Sequence, residues 1–427
     1  MAQEDTTAAQ PSTTVKARMV VPDVARGVAL LGIAMANVPT AWLSLGAEDT
    51  SFLGTINNGL DKFLALVTTM FIHNRGLPLF STLLGFGVGL IAMSLWRKQF
   101  PAKRARRILV RRYFFLALFG MLHLIFIFYG DIMFYYGLTG MIIGLMLTVR
   151  DKTLSIIAYG LMGLITVMSI ALLVSALVGG WDLSSMTETG MGFFDTTSFG
   201  GLLLFNITTF FLNLVSFPVY LFGYLAIMLI GFTWARRGML ADVPSHRKEL
   251  WTWVVIGSIY ILAIGLPWGL AEIGVLPVEV GPVFATMNLA MGSITGPALL
   301  AFFALVLQPF QAAVNRDEKT PTWLQVPMAL GKRSMSGYLF QSIAFFLICY
   351  PVVFGFQPES VTAQVALAFG VWAVSVLLAW GMEKTNMQGP FEKMHRRLSY
   401  GPSMQPELYT AKQRRKMQSQ AGNAESS

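Results

Sequence analysis

The side chains best placed to do chemistry in this sequence are His123, Asp131, Tyr135 and Tyr136. They fall within Arg107 to Gly137, RILVRRYFFLALFGMLHLIFIFYGDIMFYYG. Arginines 106, 107, 111 and 112 open the segment, which then runs apolar for about one bilayer thickness. It reverses at Gly130-Asp131 into a second apolar stretch. By helical rise, His123 sits about 9 Å below the outer end of its helix and Tyr136 about 7 Å below the start of the next. The hairpin therefore brings an imidazole and a phenol to similar depth, with Asp131 above them. An ionisable group inside a membrane helix costs roughly 2.5–3.5 kcal/mol on insertion scales, so its presence asks for a reason. One reason is catalytic: His123 as general base, Asp131 as its orienting partner, acting on a hydroxyl or amine nucleophile. The structural alternative is a neutral histidine hydrogen-bonded between helices.

Other polar residues are candidates at the same or the opposite face. Asp23 and Arg26 share a face at the start of the first apolar segment and can pair there. Arg26 reads either as an interfacial anchor or as a contact for the phosphates of a cytosolic ligand. Asn37 lies eleven residues further along, about 16 Å up the same helix. Tyr338 and Gln341 hold a comparable place in a late segment that Arg333 opens. His73 and Arg75 reach the outer interface at a bend and are placed to join the His123 cluster. His246 and His395 lie in charge-rich cytoplasmic segments and are expected to be solvated. No HExxH, His-x-x-x-His, serine-hydrolase elbow or Walker motif occurs, so no metal site is expected. The trio Gly85, Gly87 and Gly89 lies inside an apolar segment, where close helix packing explains it better than a nucleotide loop.

The elements that must position these groups are membrane helices. The 427 residues are 55% hydrophobic and 12% charged, and the mean hydropathy is +0.60. That composition excludes a water-soluble domain. The formal charge of +9 comes from short basic clusters flanking apolar segments, the pattern of cytoplasmic loops that also meet anionic headgroups, so no nucleic-acid partner is expected. The lone Cys349 reads as core. About ten spans are predicted, near 22–44, 75–96, 107–129, 131–149, 153–178, 216–235, 250–271, 284–309, 334–356 and 360–382. The loops alternate in charge so that both termini fall on the basic, cytoplasmic side. An amphipathic helix over 58–73 is expected to lie at the outer interface, turning at 73–76 into a span with Pro78 in its first turn. Pro218 holds the matching place in 202–235, a weak hint of a repeat. Residues 1–20 and 401–427 read as disordered cytoplasmic tails without a cleavable leader, and 21–400 as one transmembrane helical domain of an all-α fold.

The blocks PDVARGVALLGIAMAN (22–37), FIHNRGLPLFSTLLGFGVGL (71–90), RRYFFLALFGMLHLIFIFYGDIMFYYGLTGMI (111–142) and LGKRSMSGYLFQSIA (330–344) resemble the bacterial YeiB-like family, built on domain of unknown function 418 (DUF418). GPFEKMHRRLSYG (389–401) fits it too, within a C-terminal family block of about 240–401. More distantly, Asp23-x-x-Arg26-Gly27 followed by Asn37 is similar to the first helix of the heparan-α-glucosaminide N-acetyltransferase family. Those enzymes pass an acetyl group from cytosolic acetyl-CoA to a sugar across a membrane. The resemblance implies a multi-pass acyltransferase of the bacterial cytoplasmic membrane, with Arg26 on the donor side and Asn37 near the reacting centre. That family's histidine follows the first helix; here Glu48 stands near that place, so His123 or His73 must substitute.

The expected function is acyl transfer from a cytosolic acyl-CoA, acetyl-CoA among the candidates, to an envelope sugar or lipid-linked glycan. Arg26, Arg333 and Arg112 would hold the donor phosphates. His123, Asp131, Asn37, Tyr136 and His73 would form the catalytic set; Arg75, Tyr135 and Gln341 would contact substrate. The alternatives are a transporter or exporter of a small or amphipathic solute, and a structural membrane partner. Membrane lipids are expected neighbours, and a homo-oligomer is left open.

Overall fold

The computed structural model describes residues 19–43, 53–179 and 194–408. Glu48, the acidic loop around Asp182 and Glu188, and most of both predicted tails lie outside them. The described chain folds into sixteen α-helices. They are α1 (Val20–Asn37), α2 (Gly59–Phe71), α3 (Gly76–Arg97), α4 (Ala102–Phe126), α5 (Met133–Leu145), α6 (Asp151–Gly179), α7 (Phe199–Arg237) and α8 (Arg247–Tyr260). Then come α9 (Leu266–Glu272), α10 (Gly281–Met291), α11 (Thr295–Val306), α12 (Gln308–Asn315), α13 (Thr322–Lys332), α14 (Ser334–Cys349), α15 (Val361–Lys384) and α16 (Pro390–Tyr400).

Among the described residues, eight continuous or nearly continuous helical stretches are long and apolar enough to cross a membrane. The shorter apolar α5 and α14 stand where the fourth and ninth spans were expected. Bilayer-facing surface is plain on α6 and α7, where Val167, Met168, Val178, Val215 and Val219 are all exposed. In lipid such side chains cost nothing, because the tails are as apolar as they are.

Association must then come from close packing and polar ties, and both are present. A Cβ on Gly85 would come 1.9 Å from Met228 O, and one on Gly231 2.0 Å from Thr82 O, so α3 and α7 touch backbone to backbone. Gly331 against Asp23 O brings α13 onto α1 in the same way, at 1.7 Å for the added carbon. Gly120 and Gly137 do this for the α4–α5 hairpin. Helix α2 begins at Asn58, whose side chain accepts from the Leu60 and Asp61 N–H groups. Asp61 is fully buried and accepts from the Thr362 N–H and hydroxyl, tying α2 to the start of α15.

Two expectations need correction. Pro218 does not start a span: α7 runs unbroken through it for 39 residues, so the repeat with Pro78 fails. A proline inside a helix removes one i→i−4 hydrogen bond, and membrane helices tolerate this where neighbouring groups re-satisfy the freed carbonyl. The predicted tail from 401 is described as far as Leu408, and Leu408 packs against the core. The helix before it, α16, lies on α4, where Arg111 donates to Leu398 O at 2.7 Å.

Candidate functional site

The α4–α5 hairpin closes as its sequence suggests. The α4 backbone ends when Ile127 and Phe128 both donate to His123 O. The chain turns at Gly130-Asp131, and Asp131 Oδ2 accepts from Phe134 N–H at 2.8 Å, satisfying one orphan donor of α5. Its other oxygen, Oδ1, lies 2.7 Å from His123 Nδ1. Both residues are buried, at 3% and 2% exposure. An ionised carboxylate can only accept, so Nδ1 carries a proton, and in the neutral ring Nε2 then keeps its lone pair. Nε2 is buried and has no hydrogen-bond partner among the described residues. The arrangement is that of an imidazole oriented and tautomerically fixed by a carboxylate, with its accepting nitrogen unspent.

Beside this pair lies a cavity of about 230 Å³ between α1, α3, α4, α5, α13, α14 and α16. Asp23, Arg26, Arg112, Lys332, Glu392 and His395 line one end; Leu30, Ile33, Ile132, Met133, Tyr136 and Tyr338 line the other. From Asp23 to Ile33 the wall climbs about 15 Å along α1. The charged end is thus on the basic-loop side, and the apolar end lies deep in the bundle. Tyr338 is buried, and its ring centroid is 5.3 Å from that of His123. His123 itself is not part of the wall.

At the charged end, Arg26 Nη2 donates to Leu83 O at 3.2 Å and the guanidinium lies 4.0 Å from Asp23. Arg112 Nη1 donates to the Tyr400 hydroxyl at 3.1 Å, and the guanidinium sits over that ring. Glu392 accepts from the Met335 and Ser336 N–H groups and from the Ser336 hydroxyl, capping α14 from 57 and 56 residues away in sequence. His395 overturns an expectation. It is buried rather than solvated, with Nε2 2.9 Å from Arg112 O. Burial first, and then the Arg112 charge, push its pKa down to about 4. The Nε2 nitrogen donates to that carbonyl, so the neutral ring suits its place. His246 is half-buried, with Nδ1 2.9 Å from Asp242 O.

The structure separates several residues from this site. Arg333 is committed elsewhere: Nη1 meets Glu383 Oε2 at 2.7 Å, and the other nitrogens donate to Met387 O. Lys332 pairs with the same carboxylate at 2.5 Å but also reaches the cavity wall. His73 and Arg75 do not join the His123 hairpin. Arg75 donates to Asn288 Oδ1 at 2.6 Å and sits over the Tyr260 ring, while His73 packs on Trp268. Their turn, with Asn74 in the left-handed region, is thereby fastened to α8, α9 and α10. Gln341 donates to Ser375, a tie between α14 and α15. Tyr135 stacks among Phe217 and Tyr224 of α7. Tyr136 does line the cavity, but its hydroxyl donates to Leu77 O and receives from Ser81, leaving no proton for an oxyanion. Asn37 ends α1 half-buried and is not on the cavity wall. Lys332, Glu392 and His395 are wall residues that sequence reasoning passed over. Their partners lie 51 to 283 residues away in sequence. Only the apolar spacing of Phe391, Met394 and Leu398 hinted that 390–400 folds back.

Among the described residues no group of three or more His, Cys, Asp or Glu side chains could hold a metal ion. Lipid-facing helices around a polar, half-apolar cavity define an all-α polytopic membrane protein. Residues 234–402 match the model of the family described as protein of unknown function (DUF418). Over 417 residues, 92% of this chain and 96% of the relative, the sequence is 26% identical to the uncharacterized protein YxaH of Bacillus subtilis strain 168. No solved structure matches. The matched segment contributes Lys332, Tyr338, Glu392 and His395, whereas Arg26, Arg112, His123 and Asp131 precede it.

Proposed function

We propose that this protein is a transmembrane acyltransferase, moving an acyl group from a cytosolic acyl-CoA to a hydroxyl of an envelope glycan. The observation that carries the reading is the unspent Nε2 of His123, fixed by Asp131 and placed behind a cavity with a basic mouth. A cavity of 230 Å³ equals roughly eight water volumes, below the usual range for a whole ligand. It fits the thioester end of such a donor with the nucleotide left outside. Arg26 and Arg112 then face the anionic portion, and exposed Arg107 and Arg111 extend the basic surface along α4. In the transfer, the acceptor oxygen attacks the thioester carbon while His123 Nε2 takes the hydroxyl proton. The C–O bond forms and the C–S bond breaks. The imidazolium, held by Asp131, returns the proton to the leaving thiolate, and the histidine is ready again. Arg333 is replaced in the donor-holding role by Lys332, and Tyr136 is a wall residue only.

The test is transfer of labelled acetyl from acetyl-CoA to an envelope glycan fraction by purified protein in nanodiscs. Wild type is expected to transfer label and to gain thermal stability from acetyl-CoA; His123→Ala keeps the stabilisation and loses transfer. Movement of an unmodified solute across vesicles, without any labelled product, would instead support the exporter reading.

A further inference from the structure

At the deep end of the cavity the Tyr338 ring stands between the wall and the His123 imidazole. Tyr338 lines the apolar end, is 5% exposed, and contacts the His123 imidazole with ring centroids 5.3 Å apart. Its neighbours at that end cannot easily yield. The Tyr136 hydroxyl is held by Leu77 and Ser81, and its ring stands edge-on to Tyr224. Ile132 and Met133 are fixed by the turn that Asp131 caps. On α14 the wall ends at Tyr338, about one helical turn past Ser334.

We infer that Tyr338 is the specificity-determining residue of this site: its ring ends the chamber for the acyl chain and limits the donor to short acyl groups. The inference rests on the acyltransferase reading. Chain length is read against this wall because close-packed interiors do not absorb extra methylenes without strain. One methylene too many in such a pocket costs on the order of tenfold or more in discrimination. Removing the ring opens room at the deep end of the chamber for a longer acyl chain. Phenylalanine keeps the ring and therefore the limit.

The experiment uses the full chain in nanodiscs with acetyl-, butyryl-, octanoyl- and dodecanoyl-CoA, reading transfer kcat/KM and thermal stabilisation for each. Wild type and Tyr338→Phe are expected to favour the two short donors by at least tenfold. Tyr338→Ala is expected to shift the optimum to octanoyl-CoA. Tyr338→Leu gives the same shift on a smaller scale and serves if the alanine variant does not accumulate. Equal use of all four donors by wild type overturns the inference while leaving acyl transfer intact. So does an unchanged profile in both Tyr338→Ala and Tyr338→Leu. If wild type neither binds nor consumes any of the four, the acyltransferase reading falls, and this inference with it.

Discussion

Replacing Asp131 by asparagine separates the chemistry of the dyad from its packing. The carboxylate does two jobs: one oxygen holds His123 Nδ1–H at 2.7 Å and the other accepts from Phe134 N–H at 2.8 Å. In Asp131→Asn the new side chain would keep the second contact through its carbonyl oxygen. Its NH₂ would then face Nδ1 and donate to it, driving the imidazole proton onto Nε2. The base is lost although every atom stays close to its place. The analogous change in a Ser-His-Asp triad lowers turnover about 10⁴-fold, and loss of general-base action alone typically costs about 10²–10⁴. Acyl transfer by Asp131→Asn should therefore drop about 10²–10⁴-fold, with the thermal midpoint near wild type. Asp131→Ala removes the cap, about 1 kcal/mol, and strands a buried N–H, about 1–3 kcal/mol. It should lose both activity and about 2–4 kcal/mol of stability. Transfer rates and melting curves on equal amounts of protein decide the matter. An Asp131→Asn protein within a few fold of wild-type rate would refute the tautomer reasoning.

Other outcomes follow from named contacts. Gly331→Ala places a carbon 1.7 Å from Asp23 O, whereas Gly370 on α15 has open space around it. The first should destabilise by about 3 kcal/mol or more, and the same change at Gly370 should stabilise slightly, by up to about 1 kcal/mol, in thermal melts. Arg26→Gln should weaken acetyl-CoA stabilisation about tenfold in apparent Kd through loss of a charge-assisted contact. Arg333→Gln should instead lower the melting point without changing that Kd, since its charge is spent on Glu383. His395 has a folded pKa of about 4, below the ordinary value of 6.5. Between pH 6.5 and 4 the unfolded chain takes the proton the folded chain refuses. Its contribution to stability is complete above 6.5 and is lost on acidification, by up to about 1.4 kcal/mol per pH unit in that window. Melts at about pH 7 and about pH 5, on either side of the unfolded value, should differ less in His395→Gln than in wild type.

Local patterns made much of the bundle legible. Apolar stretches located most of the long helices, and the bend at 73–76 was visible from His-Asn-Arg-Gly followed by Pro78. The His123–Asp131 contact was readable because the two residues are eight apart across one turn. Pro218 misled because its effect depends on what surrounds a helix: in membrane helices neighbouring helices, Ser/Thr side chains and local backbone adjustments re-satisfy the freed carbonyl. Arg333 and His395 misled, and Glu392 was passed over, for another reason: Glu383, Arg112 and the start of α14 reach them only through tertiary folding. A charge-rich segment reads as solvated until the partner that covers it is known. The same holds for Tyr136, whose hydroxyl looked available but is taken by α3.

The most direct measurement uses sealed vesicles in which only the basic-loop side of the protein meets radiolabelled acetyl-CoA, with glycan acceptor supplied on the opposite side. Labelled glycan should accumulate with wild type and stay at background with His123→Ala reconstituted at equal density. Label on the glycan at wild-type levels in the alanine protein would contradict a reaction at His123, and no label with either would contradict acyl transfer.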